Sequence, residues 1–151
     1  MQNLPLLNWR HASLNDVADL SAIRAACFDK LWIDSTFAEM LQRPEIVCLI
    51  IPDIAYVLAQ KILPEAEIIT IAVMPDRRRM GIAEKMLREI CQIFVGADIH
   101  TLHLEVSEKL PAARALYEKI GFVPSGRRPR YYVSSSGETA DAILMRLDLP
   151  V

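Results

Sequence analysis

Residues 67 to 95 read EIITIAVMPDRRRMGIAEKMLREICQIFV, and the fold is decided by how this stretch divides. Ile68, Ile69, Ile71 and Val73 are β-branched and nearly uninterrupted, which suits a strand covered on both faces. Pro75 and Asp76 stop it. From Ala83 onward, Met86, Leu87, Ile90, Cys91 and Phe94 recur at helix spacing. They form an apolar stripe for a core, and Glu84, Lys85, Arg88 and Glu89 cover the wet side.

Between strand and helix lies Arg77-Arg78-Arg79-Met80-Gly81-Ile82-Ala83. Gly81 lets the backbone approach a ligand, and the first N–H groups of the helix have no intrahelical partner. Helix dipole and arginines both attract negative charge, so a phosphate or pyrophosphate is the expected guest. The spacing is neither of the common phosphate loops, since it contains no G-x-G-x-x-G and no Gly-Lys-Ser/Thr.

Around this stretch, the 151 residues fit a single domain, 1–151, long enough to bury about two thirds of its unfolded surface. A net charge of −2 gives no general attraction to nucleic acid or to an acidic membrane, so any anion binding is local. Cys27, Cys48 and Cys91 are widely spaced in apolar surroundings, without metal-ligand spacing. They read as buried free thiols in a reducing compartment, and no metal is expected. The N-terminus lacks a signal peptide's pattern and no apolar run reaches membrane-spanning length, so a cytoplasmic location is expected.

In chain order, Leu7 to Ala12 suits a strand, and Ser13 or Asn15 a cap for a helix with its stripe at Val17, Leu20, Ile23, Ala26 and Cys27. Asp34 or Ser35 caps a short second helix carrying Phe37, Met40 and Leu41, which Pro44 ends. Ile46 to Ile51 and Ile54 to Ile62 form a hairpin across Pro52-Asp53, and Leu63-Pro64-Glu65 leads into the central strand. In Thr101 to Val106, Leu102, Leu104 and Val106 alternate with His103 and Glu105, turning Glu105 away from the leucine side. A helix opens at Pro111, packs through Ala113, Leu116, Tyr117 and Ile120, and ends at Gly121. Phe122 onward and Ala140 to Leu147 make a last hairpin around Ser136-Gly137. Strands and helices in this order indicate a mixed α/β sheet.

Arg78-Arg79-Met80-Gly81-Ile82-Ala83 resembles the R/Q-x-x-G-x-G/A loop of the GCN5-related N-acetyltransferase (GNAT) family, which cradles the pyrophosphate of acetyl-CoA. Leu102-His103-Leu104-Glu105-Val106, followed by Ala113 and Leu116-Tyr117-Glu118-Lys119-Ile120-Gly121-Phe122, is similar to a second block of the same family in the right order. The likeness spans nearly the whole chain. It is narrowest toward the bacterial subgroup that acetylates the N-terminal alanine of a ribosomal protein.

This resemblance implies a mostly antiparallel, twisted sheet of about seven strands with about four helices and a splayed central strand pair. It implies acetyl-CoA as co-substrate, with Ile71, Ala72 and Val73 against pantetheine and Arg78, Arg79, Met80, Gly81, Ile82, Ala83 and Glu84 around the pyrophosphate. Glu105 is the implied general base and Tyr117 the implied general acid, while Trp32, Tyr131 and Tyr132 border a peptide groove. Leu110 stands where the family has a cofactor-contacting asparagine, and Ser107 where the subgroup has an arginine.

The chemistry has its own logic. A peptide α-amine titrates near pH 8 and must lose a proton before attacking a thioester, which a carboxylate can take. A lysine amine needs roughly 3.3 kcal/mol more, which favours an α-amine without excluding lysine. The oxyanion needs a prepositioned donor, which a free backbone N–H near Val73 supplies, and the thiolate a proton, which Tyr117 supplies. With the resemblance, the expected acceptor is a protein N-terminus, for an enzyme that is a monomer or weak homodimer; a small amine, a protein lysine and a non-catalytic acetyl-CoA-binding module are the alternatives. Without net positive charge or a stacking platform, no nucleic-acid partner is expected.

Overall fold

The computed structural model describes residues 8–30 and 32–151. Leu7, at the start of the expected first strand, and Met1 to Leu6 before it lie outside them. The described residues form strands β1 (Arg10–His11), β2 (Ile46–Ile51), β3 (Ala55–Ile62), β4 (Glu65–Val73), β5 (Thr101–Ser107), β6 (Val123–Val133) and β7 (Thr139–Asp148). Helices α1 (Val17–Cys27), α2 (Asp34–Leu41), α3 (Ile82–Gly96) and α4 (Pro111–Ile120) complete the chain. The strands make one seven-stranded sheet in the order β1-β2-β3-β4-β5-β7-β6.

β4 and β5 are parallel, with register Glu65↔Thr101, Ala66↔Leu102 and Glu67↔His103. The ladder therefore occupies the first three residues of a nine-residue strand. The pairs β1·β2, β2·β3, β5·β7 and β6·β7 are antiparallel, as expected for a mixed, mostly antiparallel sheet. β4 differs from its reading as a strand covered on both faces. Ala66, Ile68, Thr70 and Ala72 are buried, while Glu67, Ile69, Ile71 and Val73 are half-buried.

The residues group into two compact units, Met1–Gln60 with Thr70–Ile90 and Lys61–Ile69 with Cys91–Val151. The boundary falls inside β4 and inside α3, so both elements belong to both units. All five apolar positions assigned to the stripe of α3, Met86, Leu87, Ile90, Cys91 and Phe94, are buried.

In the first unit, Leu20, Ile23, Phe37, Leu49, Ile50, Tyr56, Val57 and Leu58 are fully buried. The inner row of α1 is Leu20, Ile23, Arg24 and Cys27, with Ala26 exposed rather than on the stripe. Those four positions follow the i, i+3, i+4, i+7 row of a helix, and an arginine occupies one of them. Cys27 is half-buried, unlike Cys48 and Cys91, which are buried as expected. Ser13 caps a 3₁₀ turn, Leu14–Asp16, that leads into α1, and Asp16 binds both sides of the junction. The guanidinium of Arg10 meets its two carboxylate oxygens at 2.7 Å each, and the Ser13 N–H donates to it at 2.8 Å. α2 opens at Ile33 without a side-chain cap, contrary to the caps expected at Asp34 or Ser35.

In the second unit, β5, β7 and β6 build an antiparallel group whose core includes Leu102, Leu104, Val106, Phe122, Ile143, Met145 and Leu147. α4 contributes Tyr117 and Ile120, and ends at Gly121 with φ +124. A β-carbon there would lie 3.1 Å from Leu147 Cδ1, so both the backbone angle and the close approach call for glycine.

The Asp16 carboxyl is held down to about 2, first by the hydrogen-bonded Arg10 guanidinium. Its folded value lies below the unfolded one, so its contribution is complete above about pH 4 and fades as pH falls toward 2. Asp16→Asn is expected to lower the unfolding free energy by about 2 kcal/mol at pH 7 and by much less near pH 2, measured by urea titration at both.

Candidate active site

The residues singled out by sequence fall in both units. In the first unit, β4 ends at Val73 and the chain passes through a 3₁₀ turn, Pro75–Arg77, before α3. Arg79 and Gly81 both take left-handed backbone angles, φ +64 and +78. For Gly81 this costs nothing, whereas for an arginine it is a strained state that recurs at ligand sites. The space where a Gly81 side chain would sit is open, with no atom within 4 Å. At the start of α3 the Lys85 N–H donates to the Gly81 carbonyl at 3.1 Å, so the N-terminal end of the helix opens directly from the glycine turn.

Arg78 and Arg79 are exposed, and Arg77, Arg78 and Arg79 have no carboxylate partner among the described residues. Arg78 Nε instead donates to the Val73 carbonyl at 3.2 Å, and the Cys27 thiol donates to the same oxygen at 3.3 Å. The end of β4 is thereby tied both to the arginine loop and to α1. Open space at a glycine, the N-terminal end of a helix and uncompensated guanidiniums suit a pyrophosphate. Among the described residues, no group of His, Cys, Asp and Glu could hold a metal ion.

Trp32, expected at a peptide groove, is half-buried and packs on Phe37, with ring centroids 5.0 Å apart. The guanidinium of Arg24 lies 4.2 Å from the centre of the Trp32 ring and 4.5 Å from that of Phe28. Arg24 Nη1 donates to Thr70 Oγ1 at 3.0 Å, and that hydroxyl also bonds the buried Tyr56 hydroxyl at 3.0 Å. Arg24 is only 8% exposed and has no carboxylate partner among the described residues. Two aromatic faces, a hydroxyl and the Lys30 carbonyl replace its water. Sequence reasoning missed Arg24, although its place in the Leu20-Ile23-Arg24-Cys27 row was a readable signal.

In the second unit, Glu105 points away from the buried Leu102, Leu104 and Val106, as its alternation requires. It lines a pocket of about 200 Å³ with Glu65, Glu67, His103, Ser125 and Arg128. That is less than the roughly 300 Å³ of a usual small-molecule site, enough for an amine and a few attached atoms. Glu105 Oε1 forms an ion pair with Arg128 Nε at 3.0 Å. His103, on the same strand face, has its Nε2 3.2 Å from Glu65 Oε2.

Tyr117 is 7% exposed and lies edge-on to Phe122 at 5.9 Å. Burial, helped by the nearby Tyr132, pushes its phenol up to about 12. Burial also raises Tyr132, with Glu105 and Tyr131 adding to the effect. Tyr131 and Tyr132 are not a cross-strand pair. Their rings meet edge-on at 5.1 Å as sequence neighbours, because β6 advances from Arg128 to Tyr132 while β7 moves only from Ala142 to Ala140. Arg130, inside this bulge, has φ +51. Leu110 is 52% exposed at the N-cap of α4, where its side chain makes no capping bond.

The acetyltransferase (GNAT) family model matches residues 17–122. The chain belongs to the GNAT acetyltransferase family. Relatives of this GNAT protein include the [ribosomal protein bS18]-alanine N-acetyltransferase of Escherichia coli (strain K12), 37% identical over 95 residues, or 63% of this chain and 64% of the relative. The match thus spans just under two thirds of that enzyme's length. A putative enzyme of the same description from Bacillus subtilis (strain 168) is 30% identical over 141 residues, 90% of this chain and 91% of its own. The crystal structure of the ribosomal-protein-S18-alanine N-acetyltransferase from Escherichia coli superposes with a TM-score of 0.87 at 28% identity, covering 95% of this chain and 94% of that one.

Two stability measurements test the local reading. Thr70→Val strands both the Arg24 guanidinium and the Tyr56 hydroxyl and is expected to cost about 2–3 kcal/mol, against about 1 for Tyr56→Phe, compared by chemical denaturation. Leu110→Asn supplies the missing cap of α4 and is expected to raise stability by roughly 1 kcal/mol, seen as a higher melting temperature.

Proposed function

We propose that this GNAT protein transfers an acetyl group from acetyl-CoA to the N-terminal α-amine of a protein, and that the acceptor is the N-terminal alanine of a ribosomal protein. The observation that carries the catalytic assignment is Glu105 on the wall of the pocket, with its carboxylate paired through Oε1 to Arg128 at the rim. The acceptor class draws support from the Escherichia coli relative, a [ribosomal protein bS18]-alanine N-acetyltransferase, and from the putative Bacillus subtilis enzyme of the same description. The chain works as one acetyltransferase domain in this reading, supported by a family match that runs across the boundary of the two units. A cytoplasmic setting fits the free cysteines, and no helix among the described residues is long and apolar enough to cross a membrane.

Arg78 to Glu84 hold the pyrophosphate of acetyl-CoA through backbone N–H groups and arginine charge. Ile71, Ala72 and Val73, beyond the β5 ladder, run beside pantetheine, and a backbone N–H near Val73 faces the oxyanion. Trp32, Tyr131 and Tyr132 border the acceptor peptide.

Glu105 takes the proton of the α-ammonium, directly or through a water, and the freed nitrogen attacks the thioester carbon. The new C–N bond gives a tetrahedral oxyanion, whose collapse breaks the C–S bond; the sulfur leaves with the electron pair, and the nitrogen sheds its second proton to the thiolate or to water. Tyr117 meets that charge. With its phenol near 12 it is a complete hydrogen-bond donor at neutral pH. Full transfer to a free thiolate near 8.5 is uphill by roughly 3.5 pH units, or ~5 kcal/mol, so donation to the developing charge matters more than a completed proton transfer.

Mass spectrometry after incubation with acetyl-CoA tests the reading on two peptides, one with a free N-terminal alanine and no lysine, the other terminally blocked and containing lysine. Acetylation of the first alone is expected, with kcat reduced about 100-fold or more by Glu105→Gln. Acetylation of the blocked peptide alone would overturn the N-terminal assignment, and an unchanged rate in Glu105→Gln would overturn the general base.

A further inference from the structure

We infer that Arg128 is a positioning residue for this reaction, acting through Glu105 and not on either substrate; the inference rests on Glu105 being the general base. Glu105 on β5 is opposite Leu144 on β7, and Leu144 is opposite Gly126 on β6. These three positions share a sheet face, and Arg128, two residues beyond Gly126 along β6, shares it too. The guanidinium therefore reaches back across β7 to Glu105, 3.0 Å away.

In the row that joins Glu105 and Leu144, Gly126 adds no side chain on β6. The neighbouring arginine is committed elsewhere. Arg127, on the opposite face, binds Asp141 at 2.6 Å and Glu108 at 3.2 Å, so it cannot replace Arg128.

A glutamate has three rotatable side-chain bonds, and on this wall it faces two further carboxylates, Glu65 and Glu67. Left alone, Glu105 would lean away from them and lose its aim. The ion pair through Oε1 fixes the carboxylate, and Oε2 is left to receive the amine proton. The exposures of the two side chains fit this division, with Glu105 at 20% on the pocket wall and Arg128 at 54% on the rim. The rim residue is steadied in turn by the Tyr131 ring, whose centre lies 5.5 Å from its guanidinium.

The test is a kinetic double-mutant cycle on the full chain with acetyl-CoA and the alanine-terminated peptide. Arg128→Ala is expected to lower kcat about tenfold with KM for acetyl-CoA unchanged, and ethylguanidinium is expected to restore part of the rate. Arg128→Lys, which keeps a cation in reach, is expected to fall between Arg128→Ala and the parent. Adding Arg128→Ala to Glu105→Gln is expected to cause no further loss. A parental kcat in Arg128→Ala, or an undiminished tenfold loss in the Glu105→Gln background, would overturn the inference. Matching melting temperatures of Arg128→Ala and the parent exclude unfolding as the cause. If Glu105→Gln alone retains the full rate, the general-base reading falls first and takes the role of Arg128 with it; a loss in Glu105→Gln with none in Arg128→Ala overturns the role of Arg128 alone.

Discussion

The parallel ladder between β4 and β5 stops after Glu67↔His103, and much of the chemistry depends on that limit. Each strand residue presents an N–H and a C=O that must find a partner. A parallel ladder that ran the full length of β4 would use those groups up along one edge. Because it covers three residues, Ile71, Ala72 and Val73 lie beyond the β5 ladder, with Ile71 and Val73 half-buried, and that is the stretch proposed to run beside pantetheine. β5 pays no penalty in order, since its other edge is paired with β7 from Thr101 to Ser107.

Around this strand the two units hold their functional side chains by different means. In the first, a buried cation organises the neighbourhood. Arg24 joins α1 to Thr70 of β4, and through Thr70 to Tyr56 of β3, while its flat guanidinium packs on Phe28 and Trp32. Trp32 is held from below by Phe37, which in turn packs against Tyr56. In the second, the hold is electrostatic and shallower, through ion pairs at the surface of β5, β6 and β7. The first unit thus relies on buried aromatic and cation contacts, and the second on a rim of charges that water can screen.

Much of this was legible in the sequence where the signal is local. The stripe of α3, the outward direction of Glu105 and the glycine stop after α4 all follow from spacing along one segment. The family resemblance supplied the roles that spacing cannot. What could not be read were partners that meet across the fold. Arg24 and Thr70 are 46 residues apart, and the burial of the arginine becomes sensible only with Thr70, Phe28 and Trp32 in place. Arg128 and Glu105 meet because of the register of β7 between β5 and β6, which leaves no mark in the linear sequence. Ala26 was misplaced because small size and apolarity do not distinguish a core position from a wet one, whereas position in the helical row does.

The bulge in β6 has an implication for how such an enzyme can vary. Pairing with β7 is fixed on one side at Arg128↔Ala142 and on the other at Tyr132↔Ala140, and the slack of two residues between them contributes no ladder bond of its own. Insertions or deletions confined to this slack change which ring or charge the strand presents there, and leave the strand register on either side intact. The bulge is therefore a place where descendants of one gene can diverge by changes of length as well as by substitution, without having to re-solve the packing of the sheet; under the proposed function, what diverges there is acceptor preference.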